Sequence, residues 1–153
     1  LTAMLAEAGV DTLDISLVDG SGLSPLNLAT ARAFVRWLEY LARNPALGPV
    51  FRESLAAPGA VGTLQKRFPD LGPGAALRAK SGTLTNVSGL SGYVTTAGGE
   101  TVAFSILSNG NRGSVAAARA AEEAIVRMLS RFTRRTAKLG NGISEPVLRM
   151  IPR

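Results

Sequence analysis

Neither cysteine nor histidine occurs in the 153 residues, which removes thiol nucleophiles, disulfides, a histidine general base and the usual zinc ligands together. Any catalysis therefore has to draw on Ser, Lys, Asp or Tyr. The lack of cysteine fits reducing and oxidising compartments alike. No stretch approaches the ~20 uninterrupted apolar residues of a membrane helix, and the N-terminus lacks the basic-then-apolar plan of a signal peptide. Charged residues are sparse at 18% against 46% hydrophobic, a balance that excludes a disordered chain and is enough for one packed core.

The net charge of +6 is unevenly placed: through Val126 ten basic residues face ten acidic ones, whereas from Arg127 onward seven basic residues face Glu145 alone. Arg127, Arg131, Arg134, Arg135 and Lys138 offer contact with an anionic surface such as phospholipid, nucleic acid or cell-wall polymer. The plainer reading is a solvated helix end whose cations complement the helix dipole. With no aromatic interleaving, nucleic-acid binding is not expected.

Leu1 to Ala8, ending at Gly9, read as the last turns of a helix whose beginning lies upstream, so the chain is expected to be a fragment. Leu13, Ile15 and Leu17 alternate with Asp14 and Ser16, the period of a half-buried strand ending at Asp19. The run Asp19-Gly20-Ser21-Gly22-Leu23-Ser24 is too rich in glycine for a helix. Asp19 and Ser21 either shape a cleft or hydrogen-bond local backbone, the structural reading being favoured, and Asn27 is explained by a helix-entry hydrogen bond. Thr30 suits the N-cap of a helix with Phe34, Trp37, Leu38 and Leu41 on one face, ending near Asn44-Pro45.

Short helical pieces broken by Pro49, Pro58, Gly59, Gly62 and Pro69 are expected as far as Pro73, a stretch suited to one wall of a cleft. Gly62-Thr63-Leu64 either caps a short helix or borders the groove. Ala76 to Leu84, Val87 to Thr96 and Thr101 to Asn109 are rich in Val, Thr, Leu and aromatics and read as an antiparallel meander with tight turns at Thr85-Asn86 and 97–100. Tyr93 reads as strand packing, and Asn109 and Arg112 as turn chemistry. From Ser114 to about Phe132, Ala117, Ala121, Ile125, Met128 and Leu129 form a stripe expected to pack across the sheet. Residues 137–153 are expected to be a basic, flexible tail.

The chemistry concentrates at Arg78-Ala79-Lys80-Ser81-Gly82-Thr83, where an ammonium and a hydroxyl occupy adjacent strand positions and a glycine permits close approach to the backbone. Alone, K-[ST]-G is a weak signal. Its company is more specific: D-G-S-G-L-S, then x-x-N, an amphipathic helix, Gly62-Thr63-Leu64, A-K-S-G-T-L, and Ser91-Gly92-Tyr93-Val94. This order, from about Asp11 to Leu129, resembles the D-alanyl-D-alanine carboxypeptidase/endopeptidase family, the class C penicillin-binding proteins.

That resemblance implies an α/β fold of the serine β-lactamase/penicillin-binding transpeptidase type, an antiparallel sheet flanked by helices, with residues 1–136 its C-terminal part. It implies a serine peptidase acting on peptidoglycan stem peptides and cross-links, acylated by penicillins, placed outside the cytoplasmic membrane, with no cofactor. Carried over, Lys80 sets positive potential beside the substrate carboxylate, Ser81 donates to that carboxylate, Gly82 keeps the strand edge bare, and the Thr83 N–H is an oxyanion donor. Two departures qualify the match. Ser81 stands where many members have Thr, and no serine is followed at the third position by Lys, nor does S-x-N occur. The chain alone is therefore expected to be inactive and to need the upstream part of the same domain as partner. A related serine hydrolase, β-lactamase or esterase, and a non-catalytic module that binds wall peptides remain open alternatives.

Overall fold

The computed structural model describes residues 2–71, 76–111 and 114–134, together with the backbone of two short strands at 136–138 and 144–146. Helix α1 (Thr2–Glu7) stops where Gly9, at φ +69°, takes the left-handed conformation that turns the chain. The next segment departs from the expected strand. Asp11 accepts from the Leu13 N–H at 2.9 Å and closes a 3-10 turn, Thr12–Asp14, so that only Ile15–Ser16 (β1) remains extended, paired with Leu28–Ala29 (β2). The alternation also runs the other way round: Leu13 is 92% exposed and Asp14 is buried. The reason is a bidentate ion pair, Arg32 Nε and Nη2 each lying 2.9 Å from an Asp14 oxygen.

Thr30 caps α2 (Ala31–Arg43) through its hydroxyl, which accepts from the Ala33 N–H at 3.1 Å. Leu38 and Leu41 are buried, and Asn44 ends the helix as its side chain accepts from the Ala46 and Leu47 N–H groups. In α3 (Gly48–Ser54) Pro49 sits in the first turn, so it opens a helix rather than breaking one. Gly48 lies so close to α2 that a Cβ there would stand 2.6 Å from the Leu41 carbonyl oxygen.

The expected meander forms. Strands β3 (Leu77–Leu84), β4 (Val87–Thr95) and β5 (Thr101–Ser108) make an antiparallel sheet in that order, with Lys80 opposite Ser91 and Thr83 opposite Ser88. Asn86 supplies the positive φ that the Thr85-Asn86 turn requires. Helices α2 and α3 cover one face, where Leu38, Leu55 and Tyr93 cluster, and α4 (Val115–Ser130) covers the other over Leu64, Phe68, Leu77, Leu90, Val94, Phe104 and Val126.

Helix α4 presents a different stripe from the expected one. Of the expected residues only Leu129 packs against the core, beside the buried Glu122 and Val126, whereas Met128 is 74% exposed and Ala117, Ala121 and Ile125 are exposed as well. A carboxylate in the buried row disguised it. Beyond the helix, Thr136–Lys138 (β6) pairs with Ser144–Pro146 (β7). The rest of the expected tail, and Arg112, lie outside the described residues. Among the described residues no helix is long and apolar enough to cross a membrane.

Candidate active site

Strand β3 is an edge strand, and its outer side is treated differently along its length. The Ala79 N–H donates to the Ala56 carbonyl at 3.0 Å, forming an isolated antiparallel bridge, and Arg78 Nη1 lies 3.4 Å from the Leu55 carbonyl. In an antiparallel ladder, outward and inward N–H groups alternate. Since Ala79 points outward, so do the N–H and C=O of Ser81 and Thr83, beyond the bridge. Lys80 is exposed and its ammonium donates to the Ser81 carbonyl oxygen, which brings a positive charge to that same edge.

The side chains divide between the two faces of the sheet. Ser81 is opposite Leu90 and Thr83 opposite Ser88, and both partners face α4. Lys80 and Gly82 belong to the α2 face. There a cleft of about 480 Å³ opens, with Phe34, Trp37 and Phe51 on its wall and Lys80, Gly82 and Ser91 on its floor. A methyl group built on Gly82 meets no atom within 4 Å, so the chain's own packing does not demand glycine there. The opposite is true of Gly92. Its Cβ would fall 2.1 Å from the Arg78 carbonyl oxygen and 2.6 Å from Ala79 Cα, so the bare backbone of β4 lets the site strand lie where it does.

On the α4 face the hydroxyl end of the strand is braced by a buried ion network. Ser88 Oγ donates to Glu122 Oε1 at 2.6 Å, and Arg67 bridges Glu122 at 2.8 Å and Glu123 at 2.9 Å. Arg127 extends it to Glu123 and Asp70, holding the Asp70 carboxyl below the usual carboxylate range chiefly by hydrogen bonding. Arg119 Nη2 stands 3.5 Å from Thr83 Oγ1.

The K-S-G-T residues are thus brought together on one edge, and the other candidates fall elsewhere. Asp19 accepts from the Ser21 N–H and hydroxyl and from Asn27 Nδ2, and Asn27 Oδ1 accepts from the Val18 N–H at 2.7 Å. That loop is closed on itself, as the structural reading held, although Asn27 ties the loop together instead of entering the helix. These hydrogen bonds hold the Asp19 carboxyl low, Asn27 contributing most. Leu64 is wholly buried in the α4 core. Tyr93 is a packing residue, its hydroxyl donating to the Leu38 carbonyl at 2.7 Å and its pKa pushed up by burial. Arg119, Glu122 and Arg67 were missed because nothing in their spacing links them to β3. Among the described residues no cluster of three His, Cys, Asp or Glu side chains is placed to hold a metal.

A family model described as D-Ala-D-Ala carboxypeptidase 3 (S13) matches residues 1–132. The chain is 39% identical over 142 residues to the D-alanyl-D-alanine carboxypeptidase of Actinomadura sp. strain R39, covering 89% of this chain and 26% of that protein. Its structure is similar to that of penicillin-binding protein 4 (dacB) from Haemophilus influenzae complexed with a β-lactam, at TM-score 0.71 and 30% identity, covering 86% of this chain and 32% of the other. A β-lactamase from Sphaerobacter thermophilus shares the fold at TM-score 0.61 and 22% identity, covering 82% and 49%. The chain spans about a quarter of the length of the curated relatives it matches.

Proposed function

The chain belongs to the D-Ala-D-Ala carboxypeptidase 3 (S13) family, and from that premise we propose that it is the part of a serine D-alanyl-D-alanine peptidase that grips the substrate. The observation that carries this reading is the open edge of β3 beyond the Ala56 bridge, where the outward N–H of Thr83 has a serine hydroxyl two residues before it and a lysine ammonium three residues before it. A peptide laid along this edge pairs with Ser81 and Thr83 as an added strand. Its scissile carbonyl oxygen takes the Thr83 N–H, one donor of an oxyanion hole. Losing such a donor typically costs roughly a hundred- to a thousandfold in rate. Lys80 provides positive potential, Ser81 donates to the terminal carboxylate, and Gly82 leaves room on the cleft side.

The nucleophilic serine comes from the remainder of the domain, since no serine here stands in S-x-x-K. In the reaction its Oγ bonds to the carbonyl carbon and its proton passes to a nearby lysine and on to the departing D-alanine amine as the C–N bond breaks. Water then releases the acyl group. The substrates are peptidoglycan stem peptides or their cross-links, encountered outside the cytoplasmic membrane, and penicillins acylate the same serine. The cleft wall of Phe34, Trp37 and Phe51 and the eight-residue outer edge of β5 receive that remaining part of the domain.

The test is intact-mass spectrometry after incubation with a penicillin, on the 153-residue chain and on a version extended upstream. An adduct only on the longer version is expected, strongly reduced by Lys80→Ala. Labelling that ignores Lys80→Ala removes this reading of β3, and an adduct on the short chain puts the nucleophile among these residues.

A further inference from the structure

By the alternation of the strand, Ser81 and Thr83, opposite Leu90 and Ser88, carry their side chains toward the α4 face of the sheet, whereas the Lys80 stem leaves the strand on the other. The cation beside the Thr83 hydroxyl is Arg119, in the second turn of α4, with Nη2 3.5 Å from Oγ1. Its charge is uncommitted. Arg67 and Arg127, on the same side, are held by Glu122, Glu123 and Asp70, but among the described residues Arg119 forms no ion pair and its side chain is exposed. The helix that carries it is fixed relative to β3, because Glu122, less than one turn further on, accepts from Ser88, the residue directly opposite Thr83. An arginine fork, two hydroxyls and an open strand edge make a receptor for a planar carboxylate.

Building on the peptidase reading above, we infer that Arg119 is a specificity-determining residue that receives the free C-terminal carboxylate of the substrate together with Ser81 and Thr83. Lys80 and Arg119 then bracket the edge from its two faces. The ammonium lies toward the cleft where the reacting serine arrives, and the guanidinium lies where the peptide ends. The Ala56 bridge fits this arrangement, because it closes the edge at Ala79, next to the carboxylate site, and leaves no backbone there for a longer chain to pair with.

The experiment uses the protein extended upstream through its nucleophile, and compares a peptide ending in D-Ala-D-Ala as the free acid with the same peptide as its C-terminal amide. The readout is the ratio of kcat/KM for acid over amide. Arg119→Ala is expected to lower that ratio roughly ten- to a hundredfold, the range for losing a hydrogen bond to a charged group, and Arg119→Lys to recover part of it. A ratio that Arg119→Ala leaves unchanged overturns the inference, including the case in which both substrates slow equally through a structural effect. If the unsubstituted protein neither cleaves the acid nor takes a penicillin adduct, the peptidase reading itself fails. If it does both and Lys80→Ala slows it while Arg119→Ala leaves the ratio alone, only the Arg119 assignment falls.

Discussion

Helices α2 and α4 lie on opposite faces of the same three strands and are held there by different forces. Helix α2 meets the sheet with apolar side chains, Leu38 among them, and one neutral hydrogen bond from Tyr93 to the Leu38 carbonyl. Helix α4 also buries Val126, but at its centre stands Glu122, 1% exposed, whose charge is matched by Arg67 and by the Ser88 hydroxyl. A dry apolar contact tolerates sliding and repacking. A buried charge with one assigned nitrogen and one assigned oxygen partner admits one registration, because any other leaves a charge unpaired in a low dielectric. The side of the sheet that carries the site hydroxyls is the one fixed in this stricter way.

The largest break in that comparison is expected from Arg67→Ala, which strands Glu122 without a counterion and should cost about 3–5 kcal/mol in denaturant unfolding. The paired change Arg67→Met with Glu122→Leu should return most of that stability. If the single and paired changes cost the same, the network contributes little through its charges. A smaller effect concerns the start of α2, where hydrogen bonds from Arg32 hold the Asp14 carboxyl below its usual range against an opposing push from burial. A depressed folded-state pKa contributes stability that is present above the unfolded carboxylate value and is lost as pH falls through the folded one. The gap in urea midpoint between the parent and Asp14→Asn should therefore be open at neutral pH and close below about pH 4. A gap that persists in acid would show that Arg32 is not its source. Smallest of all, Met128→Lys should move stability by no more than about 0.5 kcal/mol, since Met128 points to solvent. A large loss would restore the stripe read from the sequence.

Much of this architecture was legible because the signals were local. Thr30 three residues before Ala33, the Thr85-Asn86 turn and the short segments rich in Val, Thr, Leu and aromatics that make up the meander state their structures within a few positions. The K-S-G-T edge was legible too, through the order of its neighbouring motifs. What escaped was made by distance. Arg67 and Glu122 meet across 55 residues, and Arg119 reaches Thr83 across 36. No periodicity reports such pairs, so the expected stripe left Glu122 out and the helix was rotated in the reading. Asp14 misled in the same way, a buried carboxylate paired with a residue on another element while its apolar neighbour Leu13 faced water.

The short bridge between Ala56 and Ala79 has a bearing on solubility. An uncovered strand edge is a template on which identical chains can polymerise, and nature shields such edges by shortening them and by placing lysine on them. The bridge occupies the edge of β3 at Ala79, and an ammonium guards the stretch that follows from Lys80 onward. The outer margin of β5 runs for eight residues with no lysine or arginine in it. Stray copies of the 153-residue chain would therefore zip together along β5, and β3 stays out of the aggregate.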